Sequence, residues 1–169
     1  MIARLRGNVL EIAEDSLVVD VRGVGYLVHA SPRVLREVPA VGGAVDLVVE
    51  TLVREDAIQL VGFTTLAEKR LFRLLQGIQG VGTRLALAIL GVLEPAAFER
   101  AVAAKDKAAL TRAPGVGPRL AQRIVAELEG RVGGLATGAE RPADAPASAR
   151  GPVEETVTAL AQLGYARSE

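Results

Sequence analysis

The 169-residue chain contains no cysteine and no tryptophan, and only two tyrosines and three phenylalanines. Without cysteine it forms no disulfide bond and no thiolate metal site, and catalysis by a thiol is excluded. Aromatic residues make up 3% of the chain, so its core must be aliphatic, and the 50% of hydrophobic residues are enough to build one. We assign no catalytic role to the one histidine, His29, which falls in a predicted strand.

Several other signals are missing from the sequence. The first residues carry charges at positions 4, 6, 11 and 14 and have no apolar run typical of a signal peptide, and no stretch of about 20 apolar residues predicts a membrane span. There is no phosphate-binding loop of the form GxxxxGK[ST], no metal-binding spacing and no recognisable nuclease cluster. We therefore expect a cytoplasmic, non-catalytic protein that needs no metal or cofactor and does not contact membranes.

Residues 1–63 have the composition of strands. Segments rich in β-branched residues alternate with turn residues, and one short helix is predicted at 32–38. The predicted strands are 9–14, 16–21, 25–30, 45–53 and 58–63. Five or six short strands in about 60 residues predict a small closed barrel, for which an OB-type fold is the first interpretation and an SH3-like barrel the second.

From Thr64 the apolar pattern changes to the helical period. Thr64 and Thr65 are candidate caps for the first helix, and Pro95 begins another helix in its first turn. The predicted helices are 66–78, 84–90, 95–105, 107–113 and 118–132. The fold class is thus α+β, with a barrel at 1–63 followed by an all-helical domain at 64–132.

The last part of the sequence differs again. Residues 133–151 are rich in Gly, Ala, Pro and Ser without apolar periodicity, which predicts a flexible linker. An amphipathic helix follows in 152–169, with Val157, Leu160 and Leu163 at helical spacing. Because one helix cannot form a core, we expect this segment to be the first part of a small, incomplete helical domain.

Charge is unevenly distributed although the net charge is zero. Residues 1–63 hold six Lys or Arg and nine Asp or Glu, whereas residues 64–131 hold eleven and six. Residues 132–169 hold three and five. The middle segment is therefore locally basic, and it is the segment in which a polyanion would dock.

The basic segment contains a repeated motif. GVGTRLALAIL (80–90) and GVGPRLAQRIV (115–125) share seven of eleven residues. Each copy places a glycine turn directly before a helix, with Thr83 or Pro118 as the first helical residue. Glycine allows a positive φ and close approach of another molecule, and the free N–H groups at a helix start attract an anion.

The arginines strengthen this interpretation. Arg84 and Arg119 both lie in the first turn of a helix, where a cation opposes the helix dipole unless an anion binds there. A Gly-x-Gly turn alone is a common joint between packed helices, but two copies with the same arginine favour binding to phosphates. The predicted nucleic-acid contacts are Gly80, Val81, Gly82, Thr83, Arg84, Gly115, Val116, Gly117, Pro118, Arg119 and Arg123.

Neighbouring residues receive weaker assignments. Val81 and Val116 are expected to pack inward and make the turns rigid. Core positions are predicted at Leu85, Ala86, Ile89, Leu120, Ala121 and Ile124. Lys105 and Lys107 are weaker phosphate candidates, and for Lys69, Arg70 and Arg73 on the preceding helix solvated surface and phosphate contact stay equally open.

The two copies together form a tandem helix-hairpin-helix signature, and nearly the whole chain resembles the RuvA family of Holliday-junction-binding proteins. MIARLRGNVLEI resembles that family's first barrel strands, and LVREDAIQLVGF (52–63) resembles its strand–turn–strand with an acidic tip. ALAQLGY (159–165) resembles the first helix of a C-terminal domain that has three helices in the family. This resemblance is specific because it combines several motifs in the family's order.

The resemblance implies a mechanism. The OB-like barrel would build a homotetramer, or an octamer, and the hairpins would grip the minor-groove backbone of four DNA arms in an open, square junction. The hexameric ATPase RuvB, recruited by the C-terminal domain, would drive branch migration in recombination and repair, and RuvC would resolve the junction. Residues Val157, Leu160 and Leu163 would then contact the motor.

The same resemblance assigns a role to the tip at 54–56. Taken alone, Glu55 and Asp56 form a solvated turn. In a fourfold assembly eight carboxylates would meet at the junction centre and repel phosphates, as in the family's acidic pin, which would disfavour plain duplex. Arg54 would steer the displaced strand.

Two other classes of protein also use a helix-hairpin-helix. A base-excision glycosylase also uses a helix-hairpin-helix, but the second hairpin here runs into a linker and leaves no room for the catalytic domain. A generic duplex-binding module, without preference for junctions, stays open on the residues alone.

Overall fold

The computed structural model describes residues 1–55 and 57–135, in which the chain forms five strands and six helices. Both the barrel and the helices belong to one compact unit. Asp56, the predicted linker beyond residue 135 and the predicted motor contacts Val157, Leu160 and Leu163 lie outside the described residues.

The strands form a closed barrel in the order β1-β2-β3-β5-β4. Their bounds are β1 Arg4–Ile12, β2 Ser16–Val21, β3 Val24–Ala30, β4 Ala44–Val53 and β5 Ile58–Phe63. Neighbouring strands are antiparallel except for β3 and β5, which run parallel. A short helix, α1 (Pro32–Glu37), separates β3 from β4 and is capped by the Ser31 side chain. The OB-type barrel predicted from the sequence is confirmed.

The first strand begins earlier than predicted. We expected it at Val9, but β1 starts at Arg4, which pairs with Val48 of β4. Arg4 and Arg6 alternate with buried Leu5 and bind Asp46 at the barrel surface, at 2.7 and 2.8 Å. The charges at positions 4 and 6 therefore belong to the outer face of a strand. Because both residues are charged, the start of this strand was not recognised from the sequence.

Five helices follow the barrel. Their bounds are α2 Leu66–Gln76, α3 Thr83–Val92, α4 Pro95–Ala103, α5 Lys107–Thr111 and α6 Pro118–Leu128. Thr65 caps α2 in a capping box with Glu68, in which each side chain binds the other residue's backbone N–H. The helical domain predicted after Thr64 is confirmed, although several helices end two to four residues before the predicted bounds.

Two hydrophobic cores are buried, an aliphatic one in the barrel and one among the helices that also contains the three phenylalanines. The helical core also includes Val61 and Phe63 from β5. The rings of Phe63 and Phe72, on β5 and α2, lie with their centroids 5.1 Å apart. The end of the last strand is thus packed inside the helical core, which joins the two regions.

Candidate nucleic-acid interface

Two hairpins carry the repeated motif. The first consists of α2, the turn 80–82 and α3, and the second consists of α5, the turn 115–117 and α6. Gly80 and Gly115 have φ angles of 92° and 89°, in the left-handed region that glycine adopts without strain. The next residue donates its N–H to the carbonyl three residues earlier, just beyond the end of the preceding helix. Val81 donates to Ile78 at 3.0 Å, and Val116 donates to Ala113 at 3.1 Å. The two turns therefore have the same backbone design.

The side chains beside the turns hold them rigid. Val81 and Val116 are buried, as predicted from the sequence. Leu85 and Leu120, predicted as core, are only partly buried, and each lies over the turn of the other hairpin. A Cβ placed on Gly115 would lie 3.1 Å from Cδ1 of Leu85, and one on Gly80 would lie 3.9 Å from Cδ1 of Leu120. The hairpins thus support each other reciprocally.

The second glycine of each turn is the N-cap of the following helix. Gly82 and Gly117 have extended φ angles of −89° and −84°, and among the described residues no side chain caps either helix. No described heavy atom lies within 4 Å of a Cβ built on either glycine. Ser, Asp or Asn would cap these helices better. Within the described residues, neither backbone strain nor internal packing requires glycine at these positions.

Backbone donors are left open at both helix starts. In α3 the first intrahelical bond is donated by Ala86 to Gly82, and in α6 by Ala121 to Gly117. The N–H groups of Gly82, Thr83 and Arg84 have no acceptor among residues 1–55 and 57–135. Such groups at a helix N-terminus, together with the positive end of the dipole, form an anion site.

The two predicted arginines are available for an external anion. Arg84 and Arg119 are exposed, and in the part of the chain described neither takes part in a hydrogen bond or an ion pair. The neighbouring Thr83 hydroxyl accepts a bond from Gln76 Nε2 at 3.1 Å, which ties the start of α3 to the end of α2. Each turn therefore presents a guanidinium group beside open N–H groups.

Arg123 has a defined partner inside the protein. Its Nη1 donates to the backbone carbonyl of Gln79, the residue before the first turn, at 3.0 Å. The sequence suggested a phosphate contact for Arg123, and this tie between the hairpins was not foreseen. Lys105, a weaker candidate, forms an ion pair with Glu129 at 2.8 Å.

Of the two roles that the sequence left open for Lys69, solvated surface is excluded by the structure. Its side chain is 11% exposed, and Nζ binds Glu50 on β4 at 3.1 Å and the carbonyl of Val49 at 2.5 Å. Arg73 is exposed but also binds Glu50, at 2.7 Å. Lys69 and Arg73 lie on the side of α2 that faces β4. Their carboxylate partner, Glu50, becomes a neighbour through tertiary packing and could not be identified from the helical pattern.

The tip at 54–56 lies between β4 and β5. Arg54 donates its N–H to the carbonyl of Ala57 at 2.8 Å, and the side chains of Arg54 and Glu55 are exposed. Below the tip, Val53 and Ile58 are paired across the strands and are 73% and 71% exposed. The tip thus carries charge on an exposed hairpin.

No helix among the described residues combines the length and apolarity that crossing a bilayer requires.

The fold and these turns define a class of protein: a tandem helix-hairpin-helix protein with an OB-type barrel. Comparison with known families agrees, since residues 1–62 match the family described as RuvA N terminal domain and residues 72–129 match the SAM-like helix-hairpin-helix tandem.

Relatives similar over the whole chain narrow the class further. A protein of Methylorubrum extorquens is 50% identical over 99% of this chain and 83% of its own length. Proteins of Azorhizobium caulinodans and Parvibaculum lavamentivorans are 51% and 49% identical, over 100% of this chain and 85% of theirs. All three are named Holliday junction branch migration complex subunit RuvA. The chain belongs to the RuvA family.

Proposed function

We propose that this protein binds four-way DNA junctions by their shape, holds them open and square, and brings the RuvB motor to them for branch migration in recombination and repair. It acts without catalysing a reaction itself. The observation that carries the proposal is the pair of glycine-capped helix starts. The described structure leaves room for a side chain at Gly82 and at Gly117, yet both positions are glycine. Each is followed two residues later by an exposed arginine.

A phosphate explains these features together. Because no side chain stands at the cap, a phosphate oxygen can approach the open N–H groups closely, and the arginine adds a second attraction. The duplicated turns let one chain touch two sites on the backbone of one arm. Contacts to phosphate carry no sequence information, so binding is independent of sequence.

Preference for a junction over duplex requires an additional element, and we assign it to the tip. Glu55 and Asp56 of four copies would repel phosphates at the centre of the assembly, while Arg54 steers a displaced strand. This role depends on a homotetramer, or an octamer, whose mass with and without junction DNA is the direct test.

The remaining partners follow from the same proposal. Residues 152–169, with Val157, Leu160 and Leu163, contact RuvB, and RuvC acts on the same opened junction. A pull-down with RuvB, using this chain and its Leu160→Asp variant, tests the motor contact: we expect retention of RuvB by the parent and its loss in the variant.

The deciding experiment compares the affinity for a four-way junction with that for linear duplex of equal length. We expect the parent chain to prefer the junction. Replacement of Glu55 by Gln together with Asp56 by Asn raises duplex affinity by about fivefold at low salt, since one nearby like charge costs roughly 1 kcal/mol in water.

The matched control uses the chain's other Glu-Asp turn. Glu14→Gln with Asp15→Asn removes the same two charges from the turn between β1 and β2 and leaves duplex affinity unchanged. Equal affinity of the parent for junction and duplex would favour the generic duplex-binding module. An equal gain in both double variants would show that net charge, and not the position of the tip, governs binding.

A further inference from the structure

One ion-pair cluster joins the hairpin that carries the acidic tip to the helix that leads into the first turn. Glu50 lies on β4, three residues before the strand ends at Val53. Lys69 and Arg73 lie one helical turn apart on α2. Arg73 binds both carboxylate oxygens of Glu50, at 2.7 and 3.0 Å, and Lys69 binds one of them at 3.1 Å. We call these three residues the β4–α2 joint.

Two members of the joint are shielded from water, whereas the third, Arg73, is exposed. The side chains of Glu50 and Lys69 are 16% and 11% exposed. Burial acts to raise the pKa of Glu50, but hydrogen bonds from Arg73 and Lys69 outweigh it, and the pKa lies below its ordinary value of 4.5. Glu50 is therefore an anion at neutral pH. Lys69 also donates to the carbonyl of Val49, which fixes the direction of its side chain.

Neither region needs the joint in order to form. Strands β4 and β5 are paired along their length, from Val48 with Phe63 to Val53 with Ile58. Helix α2 has its own capping box at Thr65 and packs Phe72 into the helical core. Replacing a buried ion pair by apolar residues often leaves stability unchanged or raises it, so stability alone does not explain the joint. The joint contributes a contact of defined geometry between β4 and α2.

A second ion-pair cluster contacts α2 at the neighbouring residue. Arg33 of α1 binds Glu68, the residue before Lys69, at 2.6 Å, and it binds Glu94 at 3.4 Å. The carboxylate of Glu68 is almost fully buried. Helix α2 is thus held to the barrel by ion pairs at two consecutive residues.

We propose that Glu50, Lys69 and Arg73 are positioning residues that set the distance between the acidic tip and the first phosphate-binding turn. The inference rests on the function proposed above. Glu50 stands on the strand that leads to the tip, and α2 ends four residues before Gly80. A four-way junction presents its phosphate arms at a fixed distance from its centre, whereas linear duplex has no centre. The joint therefore contributes to the preference for a four-way junction over linear duplex.

The first test needs no DNA. The chain lacks cysteine, so Val53→Cys near the tip and Gln79→Cys at the first turn accept two spin labels, and the labelled chain is diluted with unlabelled chain. We expect one narrow distance distribution in the parent. The distance distribution broadens in Glu50→Gln and in Lys69→Met. It broadens less in Arg73→Gln, because this variant leaves the ion pair of Glu50 and Lys69 intact.

The control is a carboxylate on the same strand. Asp46 also binds two arginines, Arg4 and Arg6, but all three belong to the barrel. Asp46→Asn removes a similar ion-pair cluster and leaves the distance distribution narrow. If Glu50→Gln and Arg73→Gln both give the distribution of Asp46→Asn, the joint does not position the tip and the inference is overturned.

The second test measures function with the same variants. We expect the ratio of junction to duplex affinity to fall by about threefold to tenfold in Glu50→Gln and to stay unchanged in Asp46→Asn. Salt dependence stays unchanged in both, because no phosphate contact is removed. An unchanged ratio in Glu50→Gln contradicts the role in discrimination. If the parent itself shows no junction preference while the distance broadens, the proposed function fails and the mechanical joint stands.

Discussion

The two hairpins share the design of their turns and differ in the elements and contacts that support those turns. Both have a left-handed glycine, a buried valine, a bare glycine cap and an exposed arginine. The helix before the turn, however, has 11 residues in the first hairpin and 5 in the second. The two copies therefore keep the turn and its exposed arginine, and they vary in how each turn is supported.

The support differs in one further respect. Arg123 of the second hairpin binds the carbonyl of Gln79 beside the first turn. The residue at the equivalent position of the first hairpin is Ala88, which cannot return such a bond. The leucine contacts, Leu85 over Gly115 and Leu120 over Gly80, do run in both directions. The first turn thus depends on the second hairpin for a polar contact, while the second turn depends on the first for tight packing.

The largest expected effect comes from adding a carboxylate at the bare caps. Gly82→Asp and Gly117→Asp each place a good N-cap in open space, so the free energy of unfolding rises by a few tenths of a kcal/mol. Each lowers DNA affinity by about a hundredfold, because a like charge then faces the phosphate. Unfolding in urea and a binding titration measure the two effects separately.

The neutral cap asparagine provides the matched control. Gly82→Asn and Gly117→Asn stabilise the helices to a similar extent and add no charge, so they weaken binding far less than aspartate does. If aspartate and asparagine weaken binding equally in one hairpin, that hairpin makes no close phosphate contact and the two copies are not functionally equivalent.

The next effect concerns stability and distinguishes the two left-handed glycines. Alanine at either position must adopt a positive φ, at a cost of about 1–2 kcal/mol. Gly115→Ala costs more than Gly80→Ala, because its Cβ meets Leu85 at 3.1 Å, while the neighbours of Gly80 stand 3.8 Å away or farther. Urea unfolding measures both. Gly133→Ala, where a Cβ meets nothing within 4 Å, is the control with little change. A larger loss at Gly80 would contradict the packing asymmetry.

The sequence predicted the elements well because their signals are local. The cap at Thr65, the helix start at Pro95, the strand composition and the repeated turn each depend on a few adjacent residues, and the structure contains all of them. The start of β1 was missed because Arg4 and Arg6 look like surface residues of any element. Their partner Asp46 is forty residues away in the sequence.

The sequence was less informative about charged residues whose partners are distant. Lys69 looked like a solvated helix residue, and no local pattern connects it with Glu50, nineteen positions earlier. The same holds for Arg123 and the carbonyl of Gln79, since a backbone acceptor leaves no mark in the sequence. Tertiary packing determines which cations already have a partner inside the protein. The turn that exposes Arg84 and Arg119, in contrast, is determined by adjacent residues.

The smallest expected effect tests whether the exposed arginines of the two hairpins are equivalent. Arg84→Ala and Arg119→Ala each reduce the slope of log affinity against log salt by about 0.9, the value for one phosphate contact on duplex DNA. Arg123→Ala changes the slope less, because its guanidinium already donates to Gln79. Arg100→Ala, an exposed arginine on α4 outside the hairpins, leaves the slope unchanged. If only one of Arg84 and Arg119 alters the slope, only one copy of the motif contacts DNA, and the other copy supports that hairpin structurally. The identical turns then reflect a common backbone architecture and not a common ligand.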